Sequence, residues 1–414
     1  MVKKVLYIAL AISMLACGSA KNEAGIATPT ESATTNNASV AESSADTERA
    51  VGAEKQFWGK LLGEACRELK QENICLSPLS AQFAMAMVAN GAKGETKQQI
   101  CDAMQLGKDA NTRGRSLLDD IGAKTFWSEN CDVRIANSIW IKKDFNVKKK
   151  FIEENKESFD ALVESVEFNQ EAVKRVNEWC KESTNGRIPT ILNRLNESDR
   201  MLLINALYFK AAWSKPFQEH NTTDKKFTTE KGDEIKVPTM MMRSNETFYK
   251  DDAVAMVAKR LQGGYSMLFI LPEVGVKCDE AAEYVANDFN GLLQKMEVRD
   301  VTISLPKFTT DFGISLKPIF ESLGIKRAFG SDAQFNGISD EPLCISDVVQ
   351  KTYINVNEKG TEAAAVTIAI TGALSMKAPK IEIITFDRPF IYAIIKENCN
   401  EVLFAGKVGN PTVK

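Results

Sequence analysis

The chain has 414 residues, of which 26% are charged and 44% are hydrophobic, and its formal net charge is -3. This length permits one large domain or two to three average ones, and the nearly balanced charge gives no field that favours nucleic acid. The single histidine, His220, nearly removes histidine-based metal sites and leaves one candidate for Ser-His-Asp or Cys-His chemistry. It stands in the polar stretch QEHNTTDKK, which is typical of a solvated surface loop.

Residues 1–16 are predicted to be a signal peptide of the lipoprotein type. Two lysines precede an apolar run that ends at Ala16, and this run is too short to span a membrane. The next residue, Cys17, completes a motif that resembles a bacterial lipobox, although leucine is usual where Met14 stands. We therefore expect Cys17 to be lipidated; ordinary cleavage near Ala16 or Ala20 is the alternative.

Residues 17–50 are predicted to be a disordered tether, because they are rich in Ala, Ser, Thr, Asn and Glu and lack aromatic residues. One acyl chain binds a bilayer only marginally, so stable anchoring requires the multiple acylation of bacterial lipoproteins. We expect an exported lipoprotein of the outer membrane or cell surface, in contact with the membrane only through its lipid. A secreted or periplasmic protein is the alternative.

The first part of the remaining chain, residues 51–414, is predicted to be mainly helical. Hydrophobic spacing and capping signals predict one strand at 133–142 and helices at 53–70, from Ser77-Pro78 to Gly91, at 94–104, 148–160 and 170–183.

The later part is predicted to be rich in strands. Strands are expected at 201–209, 235–240, 246–249, 253–260, 265–271, 300–308 and 346–357, helices at 279–297 and 314–323, and a strand with a β-hairpin at the C-terminus. Asn205 lies within the first of these strands and must find hydrogen bonds in the core. Because helices precede strands without βαβ alternation, we predict a single α+β domain.

No sequence motif supports catalysis. GxGxxG, P-loop, GxSxG, HExxH and EF-hand patterns are absent from the sequence. The eight cysteines after Cys17 are scattered without CxxC spacing, and most are expected to be small buried apolar residues. We therefore predict no enzymatic activity, no cofactor and no metal site.

The most distinctive stretch is EKGTEAAAVTIAITGALS, from Glu358 to Ser375. Between Ala363 and Met376 it has no charged residue and no proline, and its small and β-branched residues suit a strand buried on both faces. Its flanks, in contrast, are typical of a loop. The three consecutive alanines favour a helix, so a helix or an ordinary loop is the alternative to a segment that can join a sheet.

Six segments of the chain, in the same order, resemble the serpins. They are NICLSPLS (73–80), LINALYFKAAW (203–213), SLPKF (304–308), NEKGTEAAAVT (357–367), DRPFIYAIIKE (387–397) and FAGKVGNP (404–411). The resemblance covers essentially Val51 to Lys414. It implies a serpin fold with three β-sheets, eight to nine helices and an exposed reactive-centre loop.

The resemblance also implies a function. A serine protease would cut the loop as a substrate, and the freed loop would insert as the central strand of the largest sheet while still bound to the protease as an acyl-enzyme. The protease would be distorted and trapped irreversibly. We expect a monomer whose partner is this protease. A non-inhibitory serpin-fold binding protein, or a protease decoy on the cell surface, is the alternative.

Residue roles follow from the resemblance. Counting sixteen positions on from Glu358 places the reactive bond at Leu374–Ser375, which implies chymotrypsin- or elastase-like targets, or cysteine proteases that accept leucine. A trypsin-like target would need Lys377, which would lengthen the inserting strand. The hinge residues are Glu358, Gly360, Thr361, Glu362, Ala363, Ala364 and Ala365.

Six further residues are implied to support loop insertion. They are Ser77, Ser80, Asn205, Trp213, Lys307 and Gln350. The structural alternatives are a helix N-cap for Ser77, a helix residue for Ser80, a hydrogen-bonded core asparagine for Asn205, a core tryptophan for Trp213 and a surface lysine for Lys307. The resemblance implies that Ser77, Ser80 and Asn205 belong to a polar cluster under the opening sheet. Gln350 stands where the family usually has histidine in this cluster, so the cluster loses a titratable member.

Overall fold

The structure is a computed structural model that describes residues 56–107, 109–121, 125–186, 188–195, 199–361 and 381–413. The segment Ala53–Lys414 forms a compact unit. The expected signal peptide and tether, including Cys17, lie outside the described residues. Within the described part of the chain, no helix is long and apolar enough to cross a membrane.

The described residues form nine α-helices. They are α1 (Phe57–Leu69), α2 (Pro78–Ala89), α3 (Gly94–Met104), α4 (Ala110–Ile121), α5 (Lys149–Phe159), α6 (Gln170–Ser183), α7 (Cys278–Asn287), α8 (Phe289–Lys295) and α9 (Lys317–Ser322). Helix α2 is buried along its whole length. It begins at Pro78, where the proline needs no hydrogen-bond acceptor, and the preceding Ser77 caps it.

Fifteen strands run through the same residues. They are β1 (Asn73–Leu76), β2 (Thr125–Ser128), β3 (Cys131–Lys142), β4 (Leu162–Val166), β5 (Met201–Ala211), β6 (Thr223–Thr228), β7 (Glu234–Lys250), β8 (Val254–Leu261), β9 (Tyr265–Pro272), β10 (Glu297–Pro306), β11 (Phe308–Ser315), β12 (Val349–Val356), β13 (Ile381–Thr385), β14 (Phe390–Lys396) and β15 (Val402–Val408).

These strands form three sheets. The largest has the order β1-β15-β14-β9-β8-β7-β10-β13, with β6 added to β7. In the four-stranded sheet, β5 pairs antiparallel with one side of β3, and β2 and β4 pair with the other side. The third sheet is the antiparallel pair β11 and β12. The α+β class, the three sheets and the expected number of helices are therefore confirmed.

The sheets are held by apolar strands, as the sequence indicates. Strands β9 and β15 are buried at every position, so this part of the largest sheet is covered on both faces. Strand β12 instead alternates, with its buried side formed by Gln350, Thr352, Ile354 and Val356. The exposed position of His220, in a short 3₁₀ turn, confirms its predicted place on the surface.

Two predicted boundaries within regular elements are wrong. The single helix expected at 279–297 is two helices, because Asp288 adopts φ -137° and ψ 45°, outside the helical region. The two strands expected at 235–240 and 246–249 are one strand, β7. Strand β10 pairs with β7 without interruption from Phe248 to Thr239, and this long-range pairing carries the strand across the polar segment between them.

The helix expected at 314–323 is also wrong in part. Residues 308–315 form strand β11, with Phe308, Thr310 and Phe312 buried on alternate positions, and helix α9 begins only at Lys317. The short strands β1, β2, β4 and β6 and the helix α4 are absent from the sequence prediction. Strands this short are fixed by their partners rather than by their own pattern.

Candidate functional site

Strands β5 and β12 contact each other. Each strand has one edge without a strand partner among the described residues. Strand β3 occupies one side of β5, and β11 occupies one side of β12. Among the described residues, no strand pairing joins β5 to β12. The carboxyl ends of both strands meet, since the indole Nε1 of Trp213 donates a hydrogen bond of 2.9 Å to the Asn357 carbonyl oxygen. Such edges carry N–H and C=O groups that can pair with an added strand.

The chain reverses direction directly after β12. The Asn357 N–H donates to the Gly360 carbonyl at 3.0 Å, and the Gly360 N–H donates back to Asn357 at 3.3 Å. We call residues 357–360 the hinge turn. Gly360 has φ +151°, and a Cβ there would lie 2.2 Å from the Ala211 carbonyl oxygen, so only glycine fits. Gly360 bridges Ala212 in the antiparallel sense, so the chain leaves the turn running back against β5 and β12.

Thr361 is the last described residue of this segment and already lies at the end of β5. It is 2% exposed. Its N–H donates to the Ala211 carbonyl at 2.9 Å, and its hydroxyl accepts from the Ala211 N–H at 2.8 Å. A small residue is therefore required here. Glu362, Ala363, Ala364, Ala365, Leu374 and Ser375 lie outside the described residues.

The Glu358 side chain ties the hinge turn to two other elements. Its carboxylate lies 2.9 Å from the ammonium of Lys307 and accepts a hydrogen bond of 2.8 Å from the Thr222 hydroxyl. Burial raises the pKa of the Glu358 carboxyl, but the hydrogen bonds from Lys307, from its own backbone N–H and from Thr222 outweigh burial and lower the pKa below its ordinary value. The carboxylate is thus held in its charged form.

Glu358→Gln is expected to remove a pH-dependent part of the stability. Because the folded-state pKa lies below the ordinary value of 4.5, the contribution is present above that pH and is lost as the pH falls through the folded pKa. Since Lys307 is 39% exposed, the wild type should exceed the variant by only about 1 kcal/mol in unfolding free energy at pH 7. Urea unfolding from pH 7 to pH 3 measures this. A difference that stays constant over that range contradicts the assignment.

Gln350 connects β12 to the start of helix α2. It is 5% exposed, and its amide forms two hydrogen bonds of 2.9 Å with the backbone N–H and C=O of Ser77. The Ser77 hydroxyl accepts the Ser80 N–H at 3.1 Å, which confirms the alternative of an N-cap. The structure therefore brings together three of the predicted residues: Ser77, Ser80 and Gln350.

Asn205 on β5 bonds in a different direction. Its Nδ2 donates to Asn137 on β3 at 2.6 Å, and Asn137 in turn donates to the Phe159 carbonyl. The Asn205 Oδ1 is buried without a hydrogen-bond partner, so the expected core asparagine is only half satisfied. Among the described residues, no hydrogen bond links Asn205 to Ser77 or Gln350. Asn137 is absent from the sequence prediction, although an amide inside the apolar strand VRIANSIWIK is a usable signal.

The chain after β5 supplies further contacts that the sequence does not indicate. The backbone N–H of Phe217 donates to the Glu358 carbonyl at 2.9 Å, and that of Trp213 donates to Lys359 at 3.0 Å. Phe217 and Thr222 lie in a polar loop with no pattern that marks them. The structure places Trp213 and Lys307 against the hinge turn, through Asn357 and Glu358 respectively.

Comparisons with known proteins agree with this architecture. A family model described as "Serpin (serine protease inhibitor)" matches residues 53–411. Alpha-1-antiproteinase of Rattus norvegicus is 28% identical over 368 residues, which cover 86% of this chain and 88% of the relative. The thermophilic serpin tengpin in its native state has a TM-score of 0.79 at 30% identity, covering 93% of this chain and 97% of tengpin. Human thyroxine-binding globulin has a TM-score of 0.76 at 25% identity, covering 88% and 98%. The chain belongs to the serpin family of serine protease inhibitors.

Proposed function

We propose that the chain traps serine proteases irreversibly by inserting its cleaved loop between β5 and β12. The observation that carries the proposal is the hinge turn. It directs the chain from β12 back against two strand edges, antiparallel to both. Thr361 already occupies the first position at the end of β5. A segment that continues in this direction adds a central strand.

The chemistry uses the protease's own first step. Its serine attacks the Leu374 carbonyl, the bond to the Ser375 nitrogen breaks, and the protease stays attached to Leu374 as an ester. From Thr361 to Leu374 an extended strand spans roughly 45 Å at ~3.3 Å per residue, enough to carry the protease across the domain. The sequence from Glu358 to Ala378 contains no proline, as a strand paired on both sides requires.

The residues around the reactive bond select the protease. Leu374 fits an apolar primary pocket of the chymotrypsin or elastase type, and the small Gly372 and Ala373 before it suit an elastase. Cysteine proteases that accept leucine form a second target class. The chain itself supplies no catalytic group and no cofactor in this proposal, and it acts as a monomer.

Incubation with chymotrypsin and elastase tests the proposal. A band of the summed mass of chain and protease is expected to survive SDS. Leu374→Arg is the matched variant. It should lose the band with chymotrypsin and gain it with trypsin, because the primary pocket of chymotrypsin accepts an apolar side chain and that of trypsin accepts a cationic one. Complete cleavage without any SDS-resistant band contradicts trapping.

For the location, we propose an exported chain held by a lipid at Cys17. The apolar leader of residues 1–16, the tether of residues 17–50 and the domain of residues 51–414 support an outer-membrane or cell-surface lipoprotein; otherwise the chain is secreted or periplasmic. Partition of the full chain into detergent, compared with Cys17→Ser, tests the anchor. Equal partition of the two proteins contradicts it.

A carrier function is the second candidate. A cleft of about 530 Å³ lies beside helices α1 and α7. Its lining has mixed charge, with four cationic residues (Arg67, Lys277, Arg388 and Lys407) and three acidic ones (Glu230, Glu273 and Asp279). Thyroxine-binding globulin, which has the same fold, is known in complex with thyroxine. A carrier does not require loop insertion, so the two candidates differ in their response to cleavage of the loop.

A further inference from the structure

Lys259 on β8 is a buried cation close to the hinge turn. It is 1% exposed, and its ammonium lies 3.4 Å from the carboxylate of Glu246 on β7, whose side chain is 8% exposed. The Ser244 hydroxyl donates to the same carboxylate oxygen at 2.6 Å. Burial lowers the pKa of Lys259 below its ordinary value, although Glu246 opposes this shift and Lys215 adds to it. Burying a charged lysine costs desolvation free energy, so other contacts must stabilise Lys259 in this position.

The ammonium of Lys259 faces two aromatic rings. It lies 5.5 Å from the centre of the Trp213 ring and 4.9 Å from that of Phe217. The two rings meet edge to face, with their centres 6.3 Å apart. A desolvated cation over aromatic faces is attracted by both. Lys259 therefore fixes the positions of these rings relative to β8.

The same two aromatic residues hold the hinge turn. Trp213 donates its indole N–H to the Asn357 carbonyl and its backbone N–H to that of Lys359, while the Phe217 N–H donates to the carbonyl of Glu358. Three successive carbonyls of the turn thus accept hydrogen bonds from residues that pack on Lys259.

The backbone completes the connection from β8 to the turn. The Ser214 N–H donates to the Arg260 carbonyl, and the Gln262 N–H donates to that of Ala212, each at 2.9 Å. The segment that carries Trp213 is therefore attached to the end of β8, next to Lys259. Strand β8 therefore contacts the aromatic pair Trp213 and Phe217, and this pair contacts the hinge turn.

We propose that Lys259, neutralised by Glu246, is a positioning residue for the hinge turn. It holds Trp213 and Phe217 where their N–H groups meet the carbonyls of residues 357–359, and so it fixes the geometry from which loop insertion begins. The consequence for insertion rests on the proposed function. The positioning itself does not, and it can be measured in the chain alone.

Hydrogen–deuterium exchange of the full chain tests the proposal, with Lys259→Met as the first variant. Exchange in the segment 212–218 is expected to become at least about tenfold faster, while exchange in β9 changes less than about twofold. The matched control is Lys317→Met, which removes a cation 5.3 Å from the ring of Phe329; exchange in the segment 212–218 should be unchanged in it. Equal acceleration in both segments, or none in either, overturns the proposal.

A second variant separates the loss of the cation from any misfolding that the unpaired Glu246 carboxylate would cause. Lys259→Met combined with Glu246→Gln removes both charges, and it should still exchange faster in the segment 212–218. Wild-type exchange in this double variant overturns the proposal, because the rings would then be held without the cation. If the exchange results are as expected but no protease complex forms, the proposed inhibition fails and the positioning role stands.

Discussion

Thr361→Arg is expected to turn the chain from an inhibitor into a substrate. Thr361 is 2% exposed, and both its backbone and its hydroxyl bond to Ala211 at the end of β5. An arginine at this position must either bury an unpaired charge or withdraw from β5, and a buried unpaired charge costs several kcal/mol. Insertion would then be slower than hydrolysis of the acyl-enzyme, so the protease would be released.

The measurement is the ratio of SDS-resistant complex to cleaved chain after reaction with chymotrypsin. In Thr361→Arg this ratio should fall at least about tenfold, because entry at the first position becomes unfavourable by more than 1.4 kcal/mol. Cleavage itself should continue, since Leu374 is unchanged. Thr361→Ser keeps a small residue with a hydroxyl and is the control, with a ratio close to that of the wild type. An unchanged ratio in Thr361→Arg contradicts insertion between β5 and β12.

Much of the site could be predicted because its residues are close in sequence or carry strong local signals. The hinge turn is a short segment with a glycine, Gly360, at its position of positive φ, and strand β5 is a nearly continuous apolar run interrupted by Asn205. Ser77 and Pro78 mark a helix start by their own chemistry. Such features depend on residues that are neighbours in the sequence, so local patterns predict them.

The remaining contacts depend on which strands become neighbours. Lys259 appears in the sequence as one charged residue at the end of a strand, and only the pairing of β7 with β8 brings it to Glu246. Asn137 becomes the partner of Asn205 through the register of β3 and β5. Strand β11 is likewise fixed by β12. Local patterns do not encode these pairings, which explains both the missed residues and the misplaced start of helix α9.

Cleavage of the loop at Leu374 is expected to raise the melting temperature by at least about 10 °C. Strands β5 and β12 each have an edge without a strand partner among the described residues, and an inserted strand from Thr361 to Leu374 would form about a dozen ladder hydrogen bonds, each worth ~1 kcal/mol net. A carrier that keeps its loop outside the sheet gains none of them.

Calorimetry before and after limited proteolysis measures this rise, with the position of cleavage verified by mass. Thr361→Arg, cleaved at the same bond, is the internal control: its melting temperature should rise less, because the strand enters against the cost of the arginine. If the fully cleaved wild type melts at the temperature of the intact chain, the two edges have not been filled. The carrier function would then be favoured, since the energy that is meant to trap the protease would be missing.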